Sequence, residues 1–136
     1  MSRTVSNSPR YNVPIEGFAQ VVEAPSPGRL LFVSGLTARD SGGAIVGEGD
    51  IVVQTRQVLQ NIRAVLEAAD GSLDDVMQIR TYILDIRAWP QVESVWREFW
   101  SEPWPASTLV EVSRLSDERQ LIETDAIAVA PARAVP

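Results

Sequence analysis

Apolar residues either alternate with polar ones or run unbroken in five short stretches of the chain, and these stretches predict β-strands. They span residues 18–24, 29–35, 76–85, 107–115 and 121–129. The second stretch is apolar at almost every position, which is typical of a strand buried on both faces. A Pro/Gly turn over 25–28 precedes it, and a glycine-rich, hairpin-like loop over 40–49 follows it.

Two further stretches carry apolar residues at helical spacing. The first helix begins after Asp50, a good N-cap, and ends at Asp70-Gly71, where Gly71 suits a left-handed cap. The second spans residues 89–100, with Pro90 in its first turn. The predicted buried stripes are Val58, Ile62, Val65, Leu66 and Ala69 in the first helix, and Val92, Val95, Trp96 and Phe99 in the second.

The element order is β-β-α-β-α-β-β, which predicts an α+β fold in a single domain over 1–136 with tails at 1–14 and 131–136. Two helices suffice to cover one face of a five-stranded sheet. The other face still carries apolar side chains such as Tyr82 and Leu84. An uncovered apolar face is typical of a partner surface, so we expect a homo-oligomer.

Composition removes several classes of chemistry. The net charge is −6, which disfavours nucleic-acid binding, and the chain has no Cys, His or Lys. Disulfides, Cys/His zinc sites, Ser-His and Cys-His nucleophiles and Lys Schiff bases are therefore excluded. No apolar run is long enough to span a membrane, and no secretory signal precedes the strands, so we expect a cytoplasmic protein.

Four segments together resemble the RidA (YjgF) family in order and spacing: "LLFVSGLT", "QTRQVLQNIRAVLEAADGSLDDVMQIRTYILD", "PASTLVEVSRL" and "IETDAIAVA". The resemblance covers residues 15 to 130. It implies a chorismate-mutase-like mixed sheet covered on one face by two helices, a homotrimer, and sites in the clefts between subunits. It also implies hydrolysis of reactive enamines and imines, such as 2-aminoacrylate, to 2-keto acids and ammonia, with no cofactor and no metal.

The resemblance carries site residues over position by position, and several have changed. Where the deaminase branch has the Arg that grips the substrate carboxylate, this chain has Ser107. The family's Cys two residues on is Leu109, its Tyr is Phe18, its helix Asn is Glu93, and the Gln that follows Ser-Gly is Leu36. A hydroxyl cannot replace a bidentate guanidinium, so the resemblance implies an altered substrate.

Other site positions are retained, namely Ser34, Gly35, Pro105 and Glu123. The resemblance makes Glu123 the residue that holds or activates the attacking water, which a carboxylate does as general base. The substrate-binding set is then Phe18, Ser34, Gly35, Glu93, Pro105, Ser107 and Leu109.

Simpler structural roles are also consistent with the residues at these positions. Glu123 and Asp125 alternate on one strand and fit a solvated pair, and Asp125 fits a structural hydrogen bond. Ser107 fits a strand start that bonds local backbone, and Glu93 fits a solvated helix carboxylate. If Glu93 faces the cleft instead, it would repel carboxylates and favour a neutral or cationic substrate.

Three more side chains have open assignments. Trp96 and Trp100 are spaced for core packing, whereas Trp104 lies beside the Pro-Ala loop and is a candidate for the cleft. Arg80 is a candidate substitute for the missing guanidinium, with an inter-subunit ion pair as the simpler alternative.

Three functions are consistent with the chain. The first is a RidA-family imine or enamine hydrolase with an altered substrate and little activity on 2-aminoacrylate. The second is a non-catalytic RidA homologue that binds a small metabolite. The third, an endoribonuclease or translation inhibitor, ranks last because the chain is acidic and lacks His and Lys.

Overall fold

A four-stranded mixed sheet with two helices forms the centre of the fold, and a computed structural model describes residues 3–10 and 17–134. The sheet order is β3-β6-β4-β5, with β4 and β5 parallel and the other pairs antiparallel. The parallel pair is joined through α2, as a parallel connection requires. The elements are β1 (Thr4–Ser6), β2 (Val21–Glu23), β3 (Arg29–Leu36), α1 (Ile51–Ala68), β4 (Val76–Ile83), α2 (Trp89–Phe99), β5 (Ala106–Glu111) and β6 (Ile122–Ala130).

The start of α1 confirms its predicted cap. Asp50 Oδ1 accepts hydrogen bonds from the backbone N–H groups of Val52 and Val53, at 3.0 and 3.1 Å. At the other end the prediction of Gly71 as the left-handed residue is wrong, because that conformation belongs to Asp70, at φ 57°. Gly71 N–H instead donates to the carbonyl of Leu66 at 2.8 Å. No helix in the described part of the chain has the length and apolar character needed to cross a membrane.

Both helices bury most of the predicted apolar stripes, although Ala69 follows the last residue of α1 and is only partly buried. Val65 is 41 % exposed, because it lies at the edge of the apolar stripe of α1 and not at its centre. In α2, Pro90 lies in the first turn as predicted, and Phe99 is partly buried. The stripe residues with at most 5 % exposure are Val58, Ile62, Leu66, Val92, Val95 and Trp96.

The two faces of the sheet differ in what covers them. Along β4 the alternate positions Ile79, Thr81 and Ile83 are buried beneath the helices. The opposite face is open, and two β3 side chains there, Leu30 and Phe32, are 57 % and 73 % exposed. In the single chain, the prediction that residues 29–35 are buried on both faces is therefore wrong. The expected uncovered apolar face of the sheet is present.

The N-terminal part is more ordered than its polar composition predicts. Residues 4–6 of the predicted lead-in form β1, which pairs antiparallel with β2 in a separate two-stranded sheet. The predicted strand 18–24 is shorter than expected, and only Ala19 bridges to the main sheet, at Ala106. Residues 131–134 are exposed and form neither helix nor strand. Residues 1, 2 and 11–14 of the predicted lead-in and 135–136 of the tail lie outside the described residues.

Candidate functional site

A cavity of about 360 Å³ opens beside α2 and the first half of β5. It brings together four of the residues carried over from the sequence resemblance, Phe18, Glu93, Ser107 and Leu109. These come from three separate parts of the chain. The full lining is Gly17, Phe18, Ile86, Trp89, Glu93, Trp96, Ser107 and Leu109.

Register explains why β5 contributes Ser107 and Leu109. Ser107 pairs with Ile79 and Leu109 with Thr81, so both β5 residues point to the helix-covered face of the sheet. Thr108, between them, points to the open face. The two β5 residues therefore face α2, and their side chains meet the helix.

Phe18 is held at the cavity by backbone pairing. The N–H of Ala19 donates to the carbonyl of Pro105 at 3.1 Å, which joins the segment before β2 to the start of β5. Pro105 is buried and does not line the cavity, so its contribution is this carbonyl. The pairing places Phe18 two residues along the sheet edge from Ser107.

Glu93 is buried in the wall of the cavity, with only 8 % exposure, so its assignment as a solvated helix carboxylate is wrong. Its Oε1 accepts a hydrogen bond from Arg97 Nη2 at 2.7 Å, one helical turn away. Gly17 lies against the same oxygen, because a Cβ there would be 2.8 Å from Oε1. Gly17 also has a φ of 111°, so both the backbone conformation and the space favour glycine.

The remaining lining is mainly apolar and aromatic. α2 presents Trp89, Glu93 and Trp96 at i, i+4 and i+7, which places all three on one face of the helix. Trp96 packs in the core as predicted and also lines the cavity. Its buried indole N–H has no acceptor among the described residues, which makes it a candidate donor to a ligand.

Glu123 lies on the other face of the sheet. It pairs in register with Tyr82, on the open face, and is partly buried. No hydrogen bond or ion pair reaches its carboxylate from residues 3–10 or 17–134. The β3 bulge between Val33 and Leu36 places Gly35 next to it, whereas Ser34 lines a separate cavity between β3 and α1. An unpaired carboxylate at a glycine-lined surface is free to bind a water molecule or a ligand.

The neighbouring carboxylate, Asp125, is fully engaged. Arg80 Nε and Nη2 donate to its two oxygens at 2.9 and 3.1 Å, and Tyr82 Oη lies 3.4 Å from Oδ2. The hydrogen bond from Arg80 to Asp125 raises the pKa of the guanidinium further above its ordinary value. Arg80 therefore has an ion-pair partner within its own chain, and it lies on the opposite face from Ser107.

Sequence reasoning missed several lining residues and misplaced one. Gly17, Ile86 and Trp89 were not expected, although the i, i+4, i+7 spacing of Trp89, Glu93 and Trp96 is a signal for a shared face. Trp104, the candidate for the cleft, lies in the core at 8 % exposure and does not line the cavity. No group of three or more acidic residues in the described ranges is arranged to hold a metal ion.

Residues 10–130 match a family model described as Endoribonuclease L-PSP. The chain belongs to this family, which is the RidA/YjgF family. The sequence resemblance is thereby confirmed. The mixed α+β fold with two helices also agrees with solved structures of RidA-family proteins.

Three relatives show how close the match is. The chain is 41 % identical to a RutC family protein of Pyrococcus horikoshii, over 90 % of this chain and 91 % of that protein. It is 33 % identical to the 3-aminoacrylate deaminase RutC of Acinetobacter baylyi, over 81 % and 86 % of the two chains. A solved structure of a Rid-family protein of unknown function from Yersinia pestis superposes with a TM-score of 0.86 at 31 % identity, covering 95 % and 99 %.

Proposed function

We propose that this RidA-family protein is a cytoplasmic, cofactor-independent hydrolase of a reactive imine or enamine. In the proposed assembly, a homotrimer, Glu123 of one copy completes the cavity of another. The observation that carries the proposal is the unpaired Glu123 carboxylate on the open sheet face, in a chain whose relatives include a deaminase of an enamine. The expected binding partner of this site is the small-molecule substrate.

Assembly through the open face is supported by where the chain leaves apolar surface. Leu30 and Phe32 are exposed on the same face as Glu123. Burying them against a second copy would stabilise the assembly by about 1.5–3 kcal/mol for each fully buried large side chain. A surface that carries both the apolar contact and the carboxylate is the one expected to meet a neighbour's cavity.

The reaction needs only groups that the chain has. Glu123 acts as general base on a water molecule, whose oxygen adds to the imine carbon while the C=N electron pair moves to nitrogen. Return of that proton to nitrogen gives a carbinolamine, and transfer of its hydroxyl proton to the same nitrogen lets ammonia leave as the C=O bond forms. One imine and one water thus give one carbonyl compound and one ammonia.

We expect a substrate that differs from that of the deaminases in which an Arg binds the substrate carboxylate. Ser107 supplies a neutral hydroxyl at the position of the family's Arg, and Glu93 adds a negative charge to the cavity wall. A carboxylate bound there would lose its bidentate partner and face repulsion. We therefore expect little activity on 2-aminoacrylate or 2-iminobutanoate.

The test is a coupled assay in which oxidases generate imines in situ, from amino acids in one panel and from simple amines in another. Ammonia release above the spontaneous rate is the readout, with the variant Glu123→Gln and the charge-matched control Glu67→Gln on the exposed face of α1. We expect turnover from the wild type and the control and none from Glu123→Gln. Full turnover by Glu123→Gln would remove Glu123 from the mechanism and contradict the proposal.

A second candidate, a non-catalytic metabolite-binding protein, is favoured by one observation: the cavity is lined mainly by apolar side chains, as small-molecule sites commonly are. Thermal-shift screening followed by recovery of the ligand separates the two functions. A stabilising compound that is returned chemically unchanged supports binding alone. We do not propose a ribonuclease, because the chain is acidic and lacks His and Lys.

A further inference from the structure

Two carboxylates lie at or next to the cavity. Glu93 forms part of the wall, and Glu111 lies on the same face of β5 as Ser107 and Leu109. Glu111 Oε1 accepts a hydrogen bond at 3.1 Å from the backbone N–H of Ile86, which itself lines the cavity. One carboxylate therefore lines the cavity, and a second is hydrogen-bonded to the backbone of a lining residue.

The neighbouring cations are already engaged. Arg97 donates to Glu93 Oε1, and Arg87 forms a bidentate pair with Asp85. No arginine is among the residues that line the cavity. Within the described residues, no donor reaches the second oxygen of Glu93, Oε2, so this buried carboxylate can still accept a hydrogen bond from a ligand.

Aromatic faces complete the arrangement. Phe18, Trp89 and Trp96 line the same cavity as Glu93. Aromatic rings attract cations through their negatively charged faces, with Trp the strongest, and the attraction grows when water is excluded. Aromatic rings beside a buried carboxylate are a recognised combination for binding an organic ammonium, and a carboxylate ligand would gain from neither.

We infer that this cavity selects a ligand with a protonated nitrogen on a compact apolar group, and that it discriminates against carboxylates. This inference rests on the proposed function only in taking the cavity as the place where the imine binds. The substrate class is then an iminium ion derived from a simple amine. Its carbon is more electrophilic than that of the neutral imine, so the water activated by Glu123 attacks it more readily.

The balance of the reaction follows from this protonation state. Iminium and water give a neutral carbinolamine as Glu123 takes one proton from the water. Return of that proton to nitrogen breaks the C–N bond, and the hydroxyl proton leaves with the ammonia as ammonium. The products are one carbonyl compound and one ammonium ion, with no oxidant or reductant consumed.

Binding of three probes of similar shape tests the selectivity without any turnover. Isothermal titration calorimetry on the full-length protein at pH 7 compares cyclohexylammonium, cyclohexanol and cyclohexanecarboxylate. We expect the ammonium to bind at least about tenfold more tightly than either of the others. Glu93→Gln should lower that preference by about tenfold, because the affinity for the ammonium falls much more than the affinity for cyclohexanol, and Glu67→Gln should leave all three affinities unchanged.

Trp89 allows a second test, because it is 42 % exposed and its replacement is compatible with folding. Trp89→Phe keeps an aromatic face and should retain most of the preference, whereas Trp89→Leu should lose it severalfold. The inference is overturned if cyclohexanecarboxylate binds as tightly as the ammonium, if none of the probes binds, or if Glu93→Gln weakens all three equally.

The binding experiment and the coupled assay together keep this inference apart from the proposed function. Selective binding of the ammonium with no turnover of amine-derived imines would support the cavity selectivity and contradict the hydrolase. Turnover of carboxylate-bearing imines at rates above the amine-derived ones would support the hydrolase and contradict the selectivity.

Discussion

The carboxylate of Glu123 lies directly against the backbone of Gly35. A Cβ at Gly35 would be 2.9 Å from the carboxyl carbon and would overlap the carboxylate itself. Gly35 does not have a left-handed φ, so an alanine would meet no backbone strain there. The glycine thus provides space for the carboxylate, and the β3 bulge positions it.

Gly35→Ala should therefore displace the Glu123 side chain and reduce imine turnover strongly, by on the order of a hundredfold if the carboxylate is the general base. Thermal stability should change little, because the partly buried carboxylate can rotate away from the added methyl group. The control is Gly42→Ala, where the nearest atom, Asp40 Oδ1, is 3.4 Å from the added Cβ. Unchanged turnover in Gly35→Ala would show that the position of the carboxylate is not critical.

Restoring the family's charge pattern should restore the family's substrate. In Ser107→Arg alone, the buried Glu93 carboxylate would compete for the new guanidinium. The double variant Ser107→Arg/Glu93→Asn should raise activity on 2-iminobutanoate by at least about tenfold, and by more than the product of the two single effects. Coupled-assay rates for the four proteins of this cycle check the prediction, and additive effects would contradict the competition.

Gln54 ties α1 to the segment before β6. It is fully buried, its Nε2 donates to the carbonyl of Arg119 at 2.9 Å, and its Oε1 accepts from the N–H of Leu121 at 2.8 Å. Gln54→Leu leaves both backbone groups unpaired and should lower the free energy of unfolding by about 2 kcal/mol. Urea denaturation measures this, and Gln60→Leu on the exposed side of the same helix should change it by less than about 0.5 kcal/mol.

Asp85 provides a pH-dependent prediction. Hydrogen bonds from Arg87 lower the pKa of this carboxyl from 3.8 to about 2. Because the folded pKa is depressed, the interaction stabilises the fold above the ordinary pKa and is lost as the pH falls through about 2. NMR titration should find the pKa of Asp85 near 2 in the wild type and higher in Arg87→Ala, but still below its ordinary value because the backbone N–H of residue 87 remains a donor. The carboxyl of Glu98, whose pKa is lowered by Arg56, is the internal control and should titrate at the same pH in both proteins.

Local signals in the sequence were sufficient for the helices and most of the sheet. Asp50 caps α1 because an Asp side chain at that position satisfies free N–H groups whatever surrounds it. The left-handed residue was assigned to Gly71 instead of Asp70, because both residue types tolerate that conformation and the pattern cannot separate adjacent positions.

Burial depended on information that one chain does not contain. An unbroken apolar run such as 29–35 is the same whether its second face meets a helix or another subunit, so the exposure of Phe32 could not be predicted. Glu93 was ambiguous for a related reason. Its helix position fits solvent, and only the approach of Gly17 from a distant segment encloses it.

Glu123 and the cavity lie on opposite faces of one sheet, so under the proposed function no single chain carries a complete site. In the proposed assembly, each copy would supply the base for one site and the pocket for another. Two inactive variants, one without Glu123 and one with its cavity filled, should therefore regain activity when their subunits are exchanged. Specific activity should likewise fall on dilution wherever the oligomer dissociates, so that assembly itself controls turnover.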